Sequence, residues 1–237
     1  MFRIKLMILG ITALLAIGAI NSASASASVI HWFPCQHETG ATWHWTTYFC
    51  FPAAVPPFTG EYELLLRPVG LRLDITTLGG LFTFKSTIAG IKVAVDCSKE
   101  KGSGWIENPT SGNGIDLETT LFQSCTLLEP EGQKCIISEP KFNANTELQS
   151  LEGEVWDLFK PDPESGAFVE LILSECSDSA LNGTYSIDGK TAALIEGSTS
   201  TLKFGKTMDE LTLEGSAATL EGNTVELSDA GGGIQAL

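Results

Sequence analysis

Two stretches of the sequence decide the fold: residues 91–97, IKVAVDC, and residues 115–125, IDLETTLFQSC. In both, apolar and polar residues alternate, which predicts a β-strand with one face buried and the other in solvent. Each stretch ends at a cysteine, Cys97 or Cys125. We therefore expect strands of one sheet that disulfide bonds tie together at their ends.

In the second stretch, the alternation assigns each side chain to a face of the sheet. Ile115, Leu117 and Leu121 are the apolar members, so we expect them on the buried face. Asp116 and Glu118 alternate with them and are expected to face solvent. Two neighbouring carboxylates can also form the catalytic pair of a glycoside hydrolase. The simpler interpretation of this pair is a polar outer surface.

The cysteine count predicts three disulfide bonds. All six cysteines follow residue 27, and an even number in an exported chain indicates full pairing, although six cysteines allow many pairings. A Cys125–Cys135 bond would close a hairpin across its own loop. A Cys97–Cys176 bond would join strands far apart in sequence, and loop-closing bonds of this kind contribute roughly 3 to 5 kcal/mol.

The rest of the chain repeats the strand signals. Short alternating segments are separated by glycine-containing turns, which we expect at Gly79–Gly80, at 98–104 and at Glu214–Gly215. No sustained helical period occurs after the first 27 residues. The sequence therefore predicts an all-β protein, either an antiparallel β-sandwich or a partly closed barrel, stapled by disulfide bonds.

The first residues have the features of a secretory signal peptide. Arg3 and Lys5 precede an apolar run at 6–20, and the small residues 23–28 offer cleavage sites. We expect this leader to be removed and the mature form to have no membrane span. The predicted organisation is a signal peptide at 1–27, a Trp/His-rich segment at 28–58 and a β domain at 59–237.

The charge of the chain argues against nucleic-acid binding. The whole sequence carries a net charge of -15, and without residues 1–27 it has 12 basic against 29 acidic residues. A phosphate backbone is bound by clustered Lys and Arg, whereas the densest basic group here is Lys99 and Lys101. The acidity is typical of a protein kept soluble outside the cell.

The Trp/His-rich segment is the most distinctive part of the chain. It contains His31, Trp32, Cys35, His37, Trp43, His44, Trp45 and Cys50. The first interpretation is a Cys35–Cys50 disulfide whose loop covers one end of the sheet. Histidine and cysteine together also suggest a zinc or copper site, although their spacing matches no zinc motif. Alternatively, Trp32, Trp43 and Trp45 form a ligand-binding platform for sugar rings.

The sequence offers no strong enzymatic motif. No histidine follows His44 and no serine lies in a Gly-x-Ser-x-Gly setting, so we predict no catalytic residue and no cofactor. Glu170 and Glu175 are the other carboxylate pair that a glycoside hydrolase could use, and their simpler interpretation is solvent-facing strand positions.

The sequence also suggests that some of the acidic residues form a calcium-binding loop. Asp157, Asp162 and Glu164 could supply oxygen ligands from one loop, but their spacing does not match an EF-hand. We therefore predict no metal site from the sequence.

The order of cysteines and turns resembles a group of uncharacterised secreted, β-rich proteins of soil actinobacteria. The resemblance is carried by residues 83–95 leading into Cys97, the Gly102–Gly104 segment, Cys125, Cys135, Cys176 and an earlier pair, Cys35 and Cys50. It covers most of the chain after residue 27. It implies a secreted, disulfide-bonded β protein, and it transfers no functional residue because the group has no established activity.

These observations favour a secreted, non-enzymatic β protein that acts as an extracellular binding or surface-associated module. Its expected partner is an extracellular glycan or another cell-surface protein. A glycan-active hydrolase using a carboxylate pair is the alternative, and a metal-binding N-terminal segment is a second alternative.

Overall fold

A computed structural model describes residues 29–37, 45–47, 50, 60–164, 166–196, 201–205, 209–229 and 232–237. The expected signal peptide lies outside these residues. Within them the chain is all-β, as the sequence predicts, with one short 3-10 helix at Ser179–Leu181. No helix in these ranges is long and apolar enough to cross a membrane.

The described residues form fifteen strands. They are β1 (Trp32–His37), β2 (Tyr62–Leu64), β3 (Arg72–Ile88), β4 (Ile91–Glu107), β5 (Ile115–Glu129), β6 (Ile136–Ile137), β7 (Lys141–Leu151), β8 (Glu154–Pro161), β9 (Val169–Ser174), β10 (Gly183–Asp188), β11 (Thr191–Glu196), β12 (Thr201–Phe204), β13 (Leu211–Leu213), β14 (Ser216–Ser228) and β15 (Ile234–Ala236).

The main sheet closes on itself. Twelve strands follow the order β12-β11-β8-β7-β5-β4-β3-β14-β13-β10-β9-β6, and β12 also pairs with β14 while β7 also pairs with β9. These two contacts create two antiparallel rings of eight strands that share β3, β4, β5, β7 and β14. Of the two architectures that the sequence predicts, a β-sandwich and a partly closed barrel, the structure is therefore the barrel. A ring of eight strands leaves an interior just wide enough to be filled by side chains.

The longest strands correct two of the expected turns. β3 and β4 each run for 17 residues and pair from Ile88↔Ile91 to Arg72↔Glu107. Gly79–Gly80 therefore lies inside β3, and the predicted turn at 98–104 lies inside β4. Glycine marks a turn in most strand patterns, but here Gly79 and Gly102 permit a close approach within the barrel. The turn at Glu214–Gly215 does join two paired strands, β13 and β14.

The described start of the N-terminal segment packs against the barrel, and its residues Ile30 and Trp32 belong to the core. β1 lies between β15 and β2 in a small second sheet. The Asn108 side chain accepts a hydrogen bond from the Trp32 backbone N–H at 2.8 Å and donates one to the Trp32 carbonyl at 2.9 Å. The Trp32 ring and Leu148 meet beside Gly114, where an added Cβ would contact both within 2.9 Å. β1 therefore covers one end of the barrel.

All six cysteines are paired, but two of the expected pairings are wrong. Cys35 bonds to Cys50 as expected, whereas Cys97 bonds to Cys125 and Cys135 bonds to Cys176. The predicted Cys125–Cys135 and Cys97–Cys176 bonds are absent. The reason is strand pairing: β5 lies beside β4 along its length, which puts Cys125 directly opposite Cys97. The short pairing of β6 with β9 brings Cys135 to Cys176.

Aromatic side chains fill one part of the barrel interior. The aromatic cluster comprises Phe82, Phe84, Phe122, Phe142, Phe159, Phe168 and Phe204, with neighbouring ring centroids 4.9 to 6.0 Å apart. Such edge-to-face and stacked contacts stabilise a core beyond the burial of apolar area.

A separate apolar cluster, which includes Trp156 and Leu158, lies on the other face of β8. The side chains of β8 are therefore buried on both sides.

Candidate functional site: a buried layer of carboxyl groups

Next to the aromatic cluster, the barrel interior contains five acidic side chains. The carboxyl layer consists of Glu100 on β4, Asp116 and Glu118 on β5, Asp157 on β8 and Glu226 on β14. Their exposed fractions lie between 0% and 3%, so water does not reach them from the surface. No lysine, arginine or histidine is among the buried residues of the described ranges.

The position of Asp116 and Glu118 corrects the sequence prediction, because β5 presents the opposite face to the core. Phe122 is fully buried in the aromatic cluster, and it shares its strand face with both acids. Ile115 and Leu117 are half-buried on the outer face. Side chains of a strand alternate between its two faces. If the other face is buried, every side chain expected inside is therefore outside, and every one expected outside is inside.

Two glycines make room for the carboxyl layer. A Cβ added at Gly102 would lie 2.1 Å from Thr77 Oγ1 and 2.7 Å from Glu118 Oε1. A Cβ added at Gly79 would lie 2.6 Å from Glu100 Oε2. Gly79 pairs with Glu100, and Gly102 pairs with Thr77 and Thr120, which contact the acids. A side chain at either position would occupy the space of the carboxyl layer, and this explains glycines in the middle of long strands.

One half of the layer is a hydrogen-bonded network of acids and threonines. Thr120 donates to Glu118 Oε1 at 2.5 Å, and Thr224 donates to Glu100 Oε2 at 2.5 Å. The Thr77 hydroxyl lies 2.8 Å from Glu100 Oε1 and 2.7 Å from Glu118 Oε1. A hydroxyl has one proton to donate. Both contacts are therefore hydrogen bonds when one carboxyl group is protonated and donates to the Thr77 oxygen.

The other half of the layer is less completely satisfied. Asp116, Asp157 and Glu226 each place one carboxyl oxygen within 4.8 Å of the others. Thr146 donates a short hydrogen bond to Asp116 Oδ2. The Thr146 and Asp116 side chains approach Asp157 closely enough to lower its pKa, but neither Asp157 oxygen has a hydrogen bond of good geometry. Asp116 Oδ1 and Glu226 Oε1 also have no hydrogen-bond partner. Buried polar atoms without partners are costly, so these oxygens require a proton or a ligand.

Burial favours the protonated form of every acid in the layer. It raises the pKa of Glu118 to about 7 and the pKa of Asp157 to about 7, although neighbouring threonine side chains partly offset both shifts. Burial, with the negative charge of Asp157, raises the pKa of Asp116 and of Glu226 well above the ordinary range. Burial also raises the pKa of Glu100. Desolvation and mutual repulsion therefore act in the same direction.

The structure removes one tryptophan, Trp32, from the predicted ligand-binding platform. Trp32 is 1% exposed and belongs to the core, so no ligand can stack on it. Trp45 is half-buried beside Tyr62, with which it forms an isolated β-bridge. Trp43 lies outside the described residues.

The structure also bears on the two metal sites that the sequence suggests, a zinc or copper site in the N-terminal segment and a calcium loop. Cys35 is bonded to Cys50, so neither sulfur can act as a thiolate ligand. His44 lies outside the described residues. Asp157 does not share a loop with the other two acids of the expected calcium set: it points into the barrel, whereas Asp162 and Glu164 follow the end of β8.

One feature of the sequence could have revealed the carboxyl layer: the position of Phe122 in the alternation of β5. Phe122 lies on the same face of the strand as Asp116, Glu118 and Thr120. The largest apolar residue of the strand therefore points to the face opposite the smaller apolar residues. Glu170 and Glu175, interpreted as surface residues, are exposed.

No protein-family model matches the chain, and neither curated proteins nor solved structures include one with significant similarity to it. The resemblance to secreted actinobacterial proteins therefore stays a prediction.

Proposed function

We propose that the protein is a secreted, non-enzymatic β protein that acts as an extracellular binding or surface-associated module. Three disulfide bonds fit a protein that works in an oxidising compartment. Of the two carboxylate pairs that the sequence offers to a glycosidase, Asp116 and Glu118 are enclosed by the barrel, where no glycan chain reaches them, whereas Glu170 and Glu175 are exposed. The burial of the first pair supports a binding role over a hydrolytic role that would use it.

The observation that carries the proposal is an apolar patch on the outer wall of the barrel. Leu78 and Leu81 on β3 are 54% and 57% exposed. Leu78 pairs with Val225 on one side and with Lys101 on the other, and Lys101 pairs with Leu121. Residues that pair directly across an antiparallel sheet point to the same face. The outer patch is therefore Leu78, Leu121 and Val225, with Lys101 between them, and the exposed Leu81 lies three residues from Leu78 on β3.

The chemistry of the outer patch favours a protein partner. Exposed apolar groups that adjoin charged ones are typical of protein interaction sites. The patch is aliphatic, whereas the tryptophan best placed to bind a sugar, Trp32, is buried. A cell-surface protein with an acidic rim facing Lys101 is the partner that fits best, ahead of an extracellular glycan.

A paired substitution tests this role. Leu78→Ser with Leu81→Ser is expected to weaken retention of the protein on the surface of the cells that secrete it by about tenfold, since roughly 1.4 kcal/mol of lost contact changes affinity by that factor. The melting temperature is expected to stay close to that of the wild type, because both side chains are exposed. Leu151→Ser, at a residue 40% exposed near the end of β7, is the matched control.

Two outcomes would contradict the proposal. Equal retention of the double variant and the wild type would remove the outer patch as a binding surface. Release of reducing sugars from a cell-wall glycan by the wild type, abolished by a single carboxylate substitution, would establish an enzyme instead.

A further inference from the structure

Among the described residues, no positively charged side chain is buried beside the carboxyl layer to offset negative charge on its five acids. Five acids face one another inside the barrel, and the threonines around them are uncharged. Several ionised carboxylates cannot share a low-dielectric interior without compensation. In the half built on Glu100 and Glu118, protons compensate and threonine hydroxyls bond three of the four carboxyl oxygens, which leaves Glu118 Oε2 without a partner. In the half built on Asp157, four carboxyl oxygens have no partner.

The unsatisfied half has the geometry of a ligand cage. Oxygens of Asp116, Asp157 and Glu226 converge to within 4.8 Å of one another, from three different strands of the barrel. Asp157 is fully buried, and neither of its oxygens has a hydrogen bond of good geometry. The Thr146 hydroxyl, bound to Asp116, holds that carboxyl group in place. Carboxyl oxygens that rigid strands hold close together and that have no hydrogen-bond partner indicate a binding site for a cation.

We propose that Asp116, Asp157 and Glu226 bind one divalent cation inside the barrel, and that this cation is calcium. The donors are all carboxylate oxygens, which select hard cations over zinc and copper. Three carboxylates can supply up to six oxygens when each binds through both of its atoms. Calcium accepts six to eight oxygens in flexible arrangements. Magnesium keeps several waters in a strict octahedron, which suits a closed interior poorly.

The location of the site predicts slow exchange. Asp157 pairs with Leu148 on β7, and Leu148 lies against Trp32, the residue through which β1 covers that end of the barrel. A cation therefore enters during folding or when β1 lifts away. Cation-free protein is accordingly prepared by unfolding and refolding in a chelator, with the disulfide bonds kept intact.

The first experiment measures thermal unfolding at pH 7.5 after such refolding. Calcium at about 100 times its Kd is expected to raise the melting temperature by roughly 5 to 10 °C. Asp157→Asn keeps the shape of the side chain and removes its charge, so the shift is expected to disappear. Glu154→Gln changes an exposed acid on the same strand and is expected to keep the full shift.

The second experiment locates the cation without any substitution. Manganese, which also binds carboxylate oxygens, is added to the refolded wild type labelled with 15N. The amide resonances of Asp116, Asp157 and Glu226 are expected to broaden before that of Asp188, an exposed acid at the end of β10. Broadening confined to exposed acids, no calcium shift in the wild type, or an equal shift in Asp157→Asn would each overturn the site. None of these results depends on the outer patch.

Discussion

Raising the pH from 4 to 8 is expected to lower the free energy of unfolding of the cation-free protein by several kcal/mol. The folded state holds protons on buried acids whose pKa is raised, whereas the unfolded chain releases them near pH 4. The folded state therefore binds more protons between these limits, and stability falls as pH rises. The stabilisation is fully present below about pH 4 and is lost as pH passes the folded pKa, which is about 7 for Glu118 and about 7 for Asp157.

The size of the effect follows from the pKa shifts. One pKa unit corresponds to about 1.4 kcal/mol. The pKa of Glu118 rises from 4.5 to about 7 and that of Asp157 from 3.8 to about 7. Each shift amounts to roughly 3 to 4 kcal/mol. The pair alone would thus change stability by an amount comparable with the 5 to 15 kcal/mol of a typical domain.

The measurement is urea unfolding in a chelator at several pH values between 4 and 8. Asp157→Asn removes one of the titrating groups, so its stability is expected to depend less on pH and to exceed that of the wild type at pH 8. Glu154→Gln, which alters an exposed acid on the same strand, is expected to leave the pH dependence unchanged. A wild type that becomes more stable as pH rises from 4 to 8 would contradict the account.

Replacing Gly102 by alanine is expected to destabilise the protein by roughly 2 to 3 kcal/mol, because it overpacks the interior. The added Cβ would lie 2.1 Å from Thr77 Oγ1, 2.7 Å from Glu118 Oε1 and 2.8 Å from Thr120 Oγ1. These side chains hydrogen-bond to one another, so none can retreat alone. The melting temperature is expected to fall by about 4 to 12 °C.

Gly80→Ala provides the matched control for this substitution. Gly80 also lies in a long strand, but a Cβ added there meets nothing within 4 Å. The change is expected to leave stability the same or to raise it by about 0.4 to 1 kcal/mol, because alanine restricts the unfolded chain. Calorimetry of the two variants compares them directly, and equal melting temperatures would show that the carboxyl layer does not limit the space at Gly102.

Much of the fold follows from the sequence because it depends on alternation. The strand period of two is visible along most of the chain, and the all-β class and the three disulfide bonds follow from it and from the cysteine count. The disulfide partners do not follow, because pairing depends on which strands become neighbours. Cys125 meets Cys97 only because β5 pairs with β4 along its length.

The carboxyl layer was hidden from the sequence for a related reason. Alternation shows that Asp116 and Glu118 share a face, but it does not say which face is buried. Gly102 was interpreted as part of a turn because glycine is common there, whereas the structure uses it as an empty space beside Thr77. Asp157, between Trp156 and Leu158, is ambiguous because β8 is buried on both faces. Only closure of the barrel brings these positions together.

A carboxyl carbon NMR titration of the refolded, cation-free protein measures directly whether the acids of the carboxyl layer hold protons in the folded state. It follows the protonation of Asp116, Glu118, Asp157 and Glu226 one group at a time in the folded state. The buried carboxyl layer predicts that Glu118 and Asp157 titrate near pH 7, and that Asp116 and Glu226 keep their protons well above the ordinary range. Midpoints near pH 4 for all four groups would show that these carboxyl groups are in contact with water, and would contradict the account.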